Sequence, residues 1–278
     1  MKISYISQRL LAATWLVCAS SLVVAANPGF TMKAPTKDTN PQVQIIGGRK
    51  ADPAQWPATF VFANPAGGGC TSTAVGERTI ITAAHCIPNG ATGIVEVGNR
   101  QIQVVCTHHP VYRTTTGGQP DWEAQASPDF ALCSLAESMP GGQFENIDSK
   151  GAGIVLNREV HLLGFGCNQP NGVDGAFGVL FEGDAPIIAV PAPPNYYTYT
   201  NGVAVCYGDS GGGAYQFQGI GTARRLLVAI NSRGNISTLS LLSTTKESGF
   251  ISWATTWAQA NNTRICGIHN DAKGCRPL

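Results

Sequence analysis

Beyond residue 45 the chain breaks into short β-branched or aromatic runs separated by turn residues. Runs of this kind occupy 59–62, 79–82, 93–105, 130–135, 160–164, 179–181, 186–190, 196–200, 226–230 and 239–242. Clusters of Gly, Pro, Asn and Asp divide them, as in Asn64-Pro65-Ala66-Gly67-Gly68-Gly69. Many short strands with turn signals between them predict an all-β sandwich or barrel. One stretch has the helical period instead. Within 248–261, Phe250, Ile251, Ala254, Trp257 and Ala258 fall on one face, which predicts a C-terminal helix.

The first 44 residues follow neither pattern. Lys2 and Arg9 precede an apolar stretch over 10–26, and Val24-Ala25-Ala26 has the small residues of a cleavage site, so 1–26 reads as a secretory signal peptide. The apolar run, with Ser and Cys inside it, is short for a membrane span. Trp15-Leu16-Val17 before Cys18 lacks the small residue that a lipid-modified cysteine needs. Residues 27–44 are polar and contain Pro28, Pro35 and Pro41, and they are expected to be an exposed leader with no folded element.

Composition sharpens the class. Charged residues are 13% of the chain, against about 25% in ordinary soluble domains, and the net charge is +1. A balance so near zero leaves no electrostatic footprint for nucleic acid or an anionic membrane. Removing the signal peptide takes Cys18 with it and leaves eight of the nine cysteines. An even number in an exported chain points to four disulfides. Zinc is disfavoured, because there is no CxxC, HExxH or paired Cys/His cluster.

Three segments carry candidate chemistry: Thr82-Ala83-Ala84-His85-Cys86, Asp129-Phe130-Ala131-Leu132 and Gly208-Asp209-Ser210-Gly211-Gly212. A serine hydroxyl needs a base to take its proton, and histidine titrates nearest neutrality. That histidine needs a carboxylate to hold its tautomer and orientation. Glycines around the serine let a carbonyl approach and let backbone N–H groups face a developing oxyanion. Singly, each feature has a plainer reading as a surface histidine, a strand cap or a turn. Gly208–Gly212 also satisfies the G-x-S-x-G elbow of α/β-hydrolases. That fold needs an acid and then a histidine after the serine, whereas here only His269 follows, with Asp271 behind it.

Taken together with Ile45-Ile46-Gly47-Gly48, these segments resemble the trypsin/chymotrypsin-like serine peptidases. They occur in that family's order, His then Asp then Ser, with separations of 44 and 81 residues. The resemblance implies two six-stranded antiparallel barrels, the first over about 45–150 and the second over about 151–278, with the site in the cleft between them. It implies His85 as general base and acid, Asp129 as its orienting partner and Ser210 as nucleophile. It assigns the oxyanion hole to the N–H groups of Gly208 and Ser210. It also implies a zymogen: a cut before Ile45 would create an α-ammonium that pairs with Asp209, although a turn-forming role is the alternative for Asp209. The expected product, 45–278, holds 14 basic and 16 acidic residues, because Lys2, Arg9, Lys33, Lys37 and Asp38 precede it. Its expected partners are protein or peptide substrates and an activating peptidase. It is expected to be secreted and monomeric, with no metal, cofactor, nucleic acid or membrane. A family member without its triad would be a binding protein or decoy, but here all three residues are intact.

Several positions depart from the family pattern. Gln44 stands where the family has Arg or Lys. Ala204, followed by Val205, stands at the floor of the primary pocket where trypsin has Asp, which implies a preference for uncharged residues before the scissile bond. Ser232-Arg233-Gly234 replaces Ser-Trp-Gly at the pocket rim. Arg233 either favours an acidic neighbour or points to solvent. Gly213 replaces a usual Pro. The resemblance implies a Cys70–Cys86 bridge, but Asn235-Ile236-Ser237 lacks the usual partner of Cys206. Cys167 is the candidate instead, with Cys106–Cys133 and Cys266–Cys275 completing the set among 105 possible connectivities. Asn235 and Asn261 begin N-x-S/T sequons.

Overall fold

The short β-branched and aromatic runs pair into two closed barrels in the computed structural model, which describes residues 29–35, 45–63, 68–112, 128–167, 178–191, 197–219, 224–246 and 249–278. The signal peptide, Cys18 and Gln44 lie outside these residues. In chain order the first eight strands are β1 (Thr31–Lys33), β2 (Arg49–Lys50), β3 (Thr59–Ala63), β4 (Gly69–Gly76), β5 (Thr79–Thr82), β6 (Thr92–Val97), β7 (Arg100–His108) and β8 (Ala131–Leu135). They are followed by β9 (Asn146–Ile147), β10 (Glu159–Gly164), β11 (Phe181–Ala189), β12 (Tyr197–Asn201), β13 (Gly213–Phe217), β14 (Arg225–Gly234) and β15 (Leu239–Thr244), and then by α1 (Phe250–Ala260).

The first barrel runs β1-β3-β4-β5-β8-β7-β6 and so has seven strands. The second runs β10-β13-β14-β15-β12-β11 and closes through a β10–β11 pairing, with β2 added beyond β11. The extra strand of the first barrel lies within the stretch expected to be an exposed leader, and that expectation fails at 30–33. Phe30 is 2% exposed and Met32 is fully buried. β1 lies antiparallel to β3 and parallel to β6, with Met32 opposite both Phe62 and Val95. The sequence pattern hid it because only Phe30 and Met32 point inward, in a short polar stretch between prolines.

The expected division near residue 150 is crossed in both directions. β2 pairs with β11, and β9 pairs with β14. In return α1, at the end of the chain, packs on the first barrel. Phe250 meets Phe130 at 4.4 Å between ring centres, and Trp253 meets His109 edge-on at 4.8 Å. On the expected helical face, Phe250, Ala254, Trp257 and Ala258 are buried and Ile251 is half-buried. Four disulfides join Cys70–Cys86, Cys106–Cys133, Cys167–Cys206 and Cys266–Cys275.

Candidate active site

The first barrel supplies two of the three candidate side chains. Strand β5 ends at Thr82 and passes into a single 3₁₀ turn, Ala84–Cys86, which turns His85 out to solvent while its neighbours stay buried. Asp129 directly precedes Phe130 and the buried strand β8 and is itself fully buried. Because β5 and β8 are adjacent antiparallel strands, with Thr82 opposite Ala131, the end of one meets the start of the other. There the His85 Nδ1 lies 2.6 Å from Asp129 Oδ2, and the His85 backbone N–H donates to Asp129 Oδ1 at 2.9 Å. Burial alone would raise the Asp129 carboxyl. The His85 ring, the Ser232 hydroxyl and the His85 N–H outweigh it and hold the group below its usual value.

The second barrel supplies the serine. Ser210 is half-buried in the tight turn that leads into β13. Its Oγ lies 3.5 Å from the Ser232 carbonyl, and Ser232 Oγ donates to Asp129 Oδ2 at 2.6 Å. Ser232, on β14, therefore touches both the serine and the carboxylate. The turn is also held from the first barrel. Thr71 on β4 donates its hydroxyl to the Gly208 carbonyl at 2.8 Å, and its N–H to the Ser210 carbonyl at 2.7 Å. Gly208 and Gly211 have φ of 98° and 82°, a region that glycine occupies at no steric cost. A Cβ on Gly211 would come within 2.1 Å of Thr82 Oγ1. At Gly213 a Cβ would fall 2.4 Å from the buried Tyr215 ring, which gives this departure a packing reason.

Asp209 points away from Ser210 into the protein. It is fully buried, and Cys206 N–H and Gly166 N–H donate to its carboxylate at 2.8 Å each. Gly164 and Gly166 leave the room it occupies, since a Cβ on either would lie within 3 Å of it. Burial pushes its carboxyl up to about 7 against those two donors, and no cation pairs with it among the described residues. Nearby, Ile46 pairs with Ala204 by two backbone hydrogen bonds. Ile45 is 1% exposed and sits at φ 48°. That region is costly for a β-branched residue.

Ala204 is fully buried and Val205 is 5% exposed, while Gly234, at the end of β14, is open to solvent. A Cβ on Gly234 would sit 3.1 Å from Val205 Cγ2, so these two residues lie side by side. Arg233 does not simply point to solvent. It is half-buried and hydrogen-bonded to Tyr112, whose hydroxyl is pushed up to about 12 by burial and the Asp129 charge despite the nearby guanidinium. Cys70, His85 and Cys86 bring potential metal-ligand atoms within 4.8 Å of one another. The two sulfurs are bonded to each other, however, so no thiolate is available there.

From the sequence Ser232 is expected only as a pocket residue, and Thr71 carries no signal at all. Both act through hydrogen bonds from a strand to a loop or turn far away in sequence, and no local pattern reports such contacts.

A family model described as Trypsin matches residues 45–240. Human chymotrypsin-like elastase family member 1 is 26% identical over 242 residues, covering 76% of this chain and 90% of that protein. A trypsin from Phaedon cochleariae is 26% identical over 150 residues, covering 51% of this chain and 58% of its own length. Since the family model spans well over half of the sequence, the chain belongs to the trypsin family of serine peptidases.

Proposed function

We propose that the chain is the precursor of an exported serine endopeptidase whose nucleophile, base and orienting acid are Ser210, His85 and Asp129. The observation that carries this reading is the 2.6 Å contact between His85 Nδ1 and the buried Asp129, with Ser232 linking that carboxylate to Ser210. His85 Nε2 takes the Ser210 proton as Oγ attacks the peptide carbonyl. Asp129 accepts from Nδ1–H and stabilises the imidazolium that forms. The N–H groups of Gly208 and Ser210 receive the oxyanion. His85 then protonates the leaving amine, and water, activated by the same base, hydrolyses the acyl-enzyme. The uncharged Ala204 and Val205 favour an uncharged side chain before the scissile bond, with Gly234 and Ser232 alongside.

Activation follows a cut between Gln44 and Ile45 by a peptidase that does not require a basic residue. Two features support it. Asp209 is a buried carboxylate with no cation beside it among the described residues, and a buried charge is tolerable only with a partner such as the new α-ammonium. The strained φ of Ile45 is also released once its peptide bond is gone. A preceding cut after Ala26 removes the signal peptide, and the N-terminus of protein recovered outside the producing cell checks it.

Peptidyl phosphonate probes test the site and its pocket together. A probe with Val or Phe next to the phosphonate is expected to label the processed protein, and the Ser210→Ala variant is expected to stay unlabelled. A correctly processed wild type that labels with no probe rules out the catalytic assignment. Faster labelling by a Lys or Arg probe refutes the pocket assignment alone.

A further inference from the structure

The leader strand belongs to the barrel it closes. β1 is not an appendage on the surface: it fills a slot between β3 and β6, pairing with one on each side. Phe30 packs on Phe62 at 5.1 Å between ring centres, and the Phe30 carbonyl accepts from Ile94 N–H at 3.0 Å. Met32 is fully buried in the same core. Lys33, on the outer side, pairs with Glu96 of β6 at 3.0 Å. The slot is shaped for this segment: a Cβ on Gly93 of β6 would fall 2.5 Å from the Phe30 ring. With β1 gone, β3 and β6 would face each other across two strand spacings, roughly 9–10 Å, too far to pair directly. Both would become open edges, which a closed barrel otherwise avoids.

We infer that the leader stays bound after activation, as the seventh strand of the first barrel, so that the working enzyme is a non-covalent complex of residues 27–44 with 45–278. This rests on the reading that activation cuts before Ile45. No cysteine lies in 27–44, so retention depends on strand pairing and on the two apolar anchors rather than on a disulfide. The slot between β3 and β6 is then a binding site for an extended peptide that presents apolar residues at 30 and 32 and a cation at 33. The leader acts as a structural subunit of the enzyme and not as a discarded plug.

The test separates retention from activity. Residues 40–44 of the exported chain are replaced by four Asp and a Lys, so that enteropeptidase cuts before Ile45 whatever the natural activator is. The cut protein is passed through native gel filtration and then analysed by denaturing mass spectrometry, with phosphonate labelling read on the same fractions. The expected result is a leader peptide co-eluting with the body at close to one-to-one. Two variants keep the outcome tied to β1. Lys33→Glu, which opposes Glu96 without touching the core, is expected to speed leader loss, most strongly at low salt. Gly93→Ala, which intrudes on Phe30, is expected to reduce occupancy at least tenfold and lower the Tm of the cut protein. A body that elutes without the leader at an unchanged Tm overturns the inference, as does leader retention that neither variant alters. A retained leader on a body that does not label supports the inference while removing the catalytic reading.

Discussion

At the residue scale, the candidate site is a short chain of hydrogen bonds anchored on one buried carboxylate. His85, Asp129 and Ser210 could be read from their segments because each sits in a local pattern of glycines, small residues or an apolar strand start. Ser232 could be found only as a neighbour of the pocket, because its bond to Asp129 spans 103 positions. That bond is one of those keeping Asp129 ionised despite burial, so Ser232 is a positioning residue in the proposed mechanism. A hydrogen bond to a charged group contributes about 1.5–3 kcal/mol. Ser232→Ala is therefore expected to lower kcat/KM by roughly ten- to a hundredfold, with Ser232→Thr recovering part of the loss. The acid limb of the pH–rate profile should also move upward, because Asp129 loses a donor to its charged form. An unchanged profile with full activity would show that Ser232 only packs.

At the element scale, runs rich in β-branched residues were legible, whereas the shortest strands were not, and neither were β4 and β13, whose glycines and small or polar residues mask an otherwise ordinary strand length. The runs at 59–62 and 79–82 coincide with β3 and β5, where β-branched residues alternate between turns. β1 and β2 span three and two residues, too few for any period to show. Both are held by longer neighbours: β3 and β6 flank β1, and β11 holds β2. β2 also brings Arg49 to a charged seam on the second barrel. His161 of β10 is 2% exposed and lies between Asp184 at 2.7 Å and Glu182 at 3.2 Å, with Arg49 3.0 Å from Glu182. Burial would lower the His161 imidazolium, but the hydrogen bonds to Asp184 and Glu182 and their charges raise it. The same bonds hold both Glu182 and Asp184 down against the opposing effect of burial. The signs then fix a window. The stabilisation owed to a raised histidine is complete below its unfolded value of about 6.5 and is lost as pH rises through the folded one. The stabilisation owed to the lowered carboxylates is present above about 4.5 and lost as pH falls. These are two views of one set of contacts, so the seam contributes most between about pH 4.5 and 6.5. The Tm difference between wild type and His161→Gln should therefore be largest near pH 5.5 and shrink above about pH 7. Taking the difference cancels the separate titration of Asp209. A gap that widens with pH would mean His161 is neutral in the folded protein.

At the scale of the whole molecule, the proposed site needs two barrels in fixed relation, since Ser210 comes from one and His85 and Asp129 from the other. The resemblance to the serine peptidases implied the two-barrel plan, but not what locks the barrels together. Thr71 ties β4 to the serine turn, and α1 reaches back over the first barrel. The deepest tie is ionic. Glu145, in the connection between barrels, is fully buried and receives Arg225 Nε at 2.9 Å and Arg276 Nε at 3.0 Å. Both arginines also donate to the Gln55 carbonyl of the first barrel, at 2.8 and 2.9 Å. The Arg225 guanidinium lies 3.6 Å from the centre of the Trp56 ring. Four segments distant in sequence, at 55–56, 145, 225 and 276, thus meet around one carboxylate. Removing one member of a buried ionic set leaves uncompensated charge and costs about 3–5 kcal/mol, whereas replacing the set with apolar residues can cost little. For a chain of this size each kcal/mol shifts Tm by about 2–4 °C. Glu145→Gln should therefore lower Tm by on the order of 10 °C, and adding Arg225→Leu and Arg276→Leu should restore part of it. If the single substitution shifted Tm by less than about 2 °C, the triad would be a solvated ornament and the barrels would be held by apolar packing and Thr71 instead.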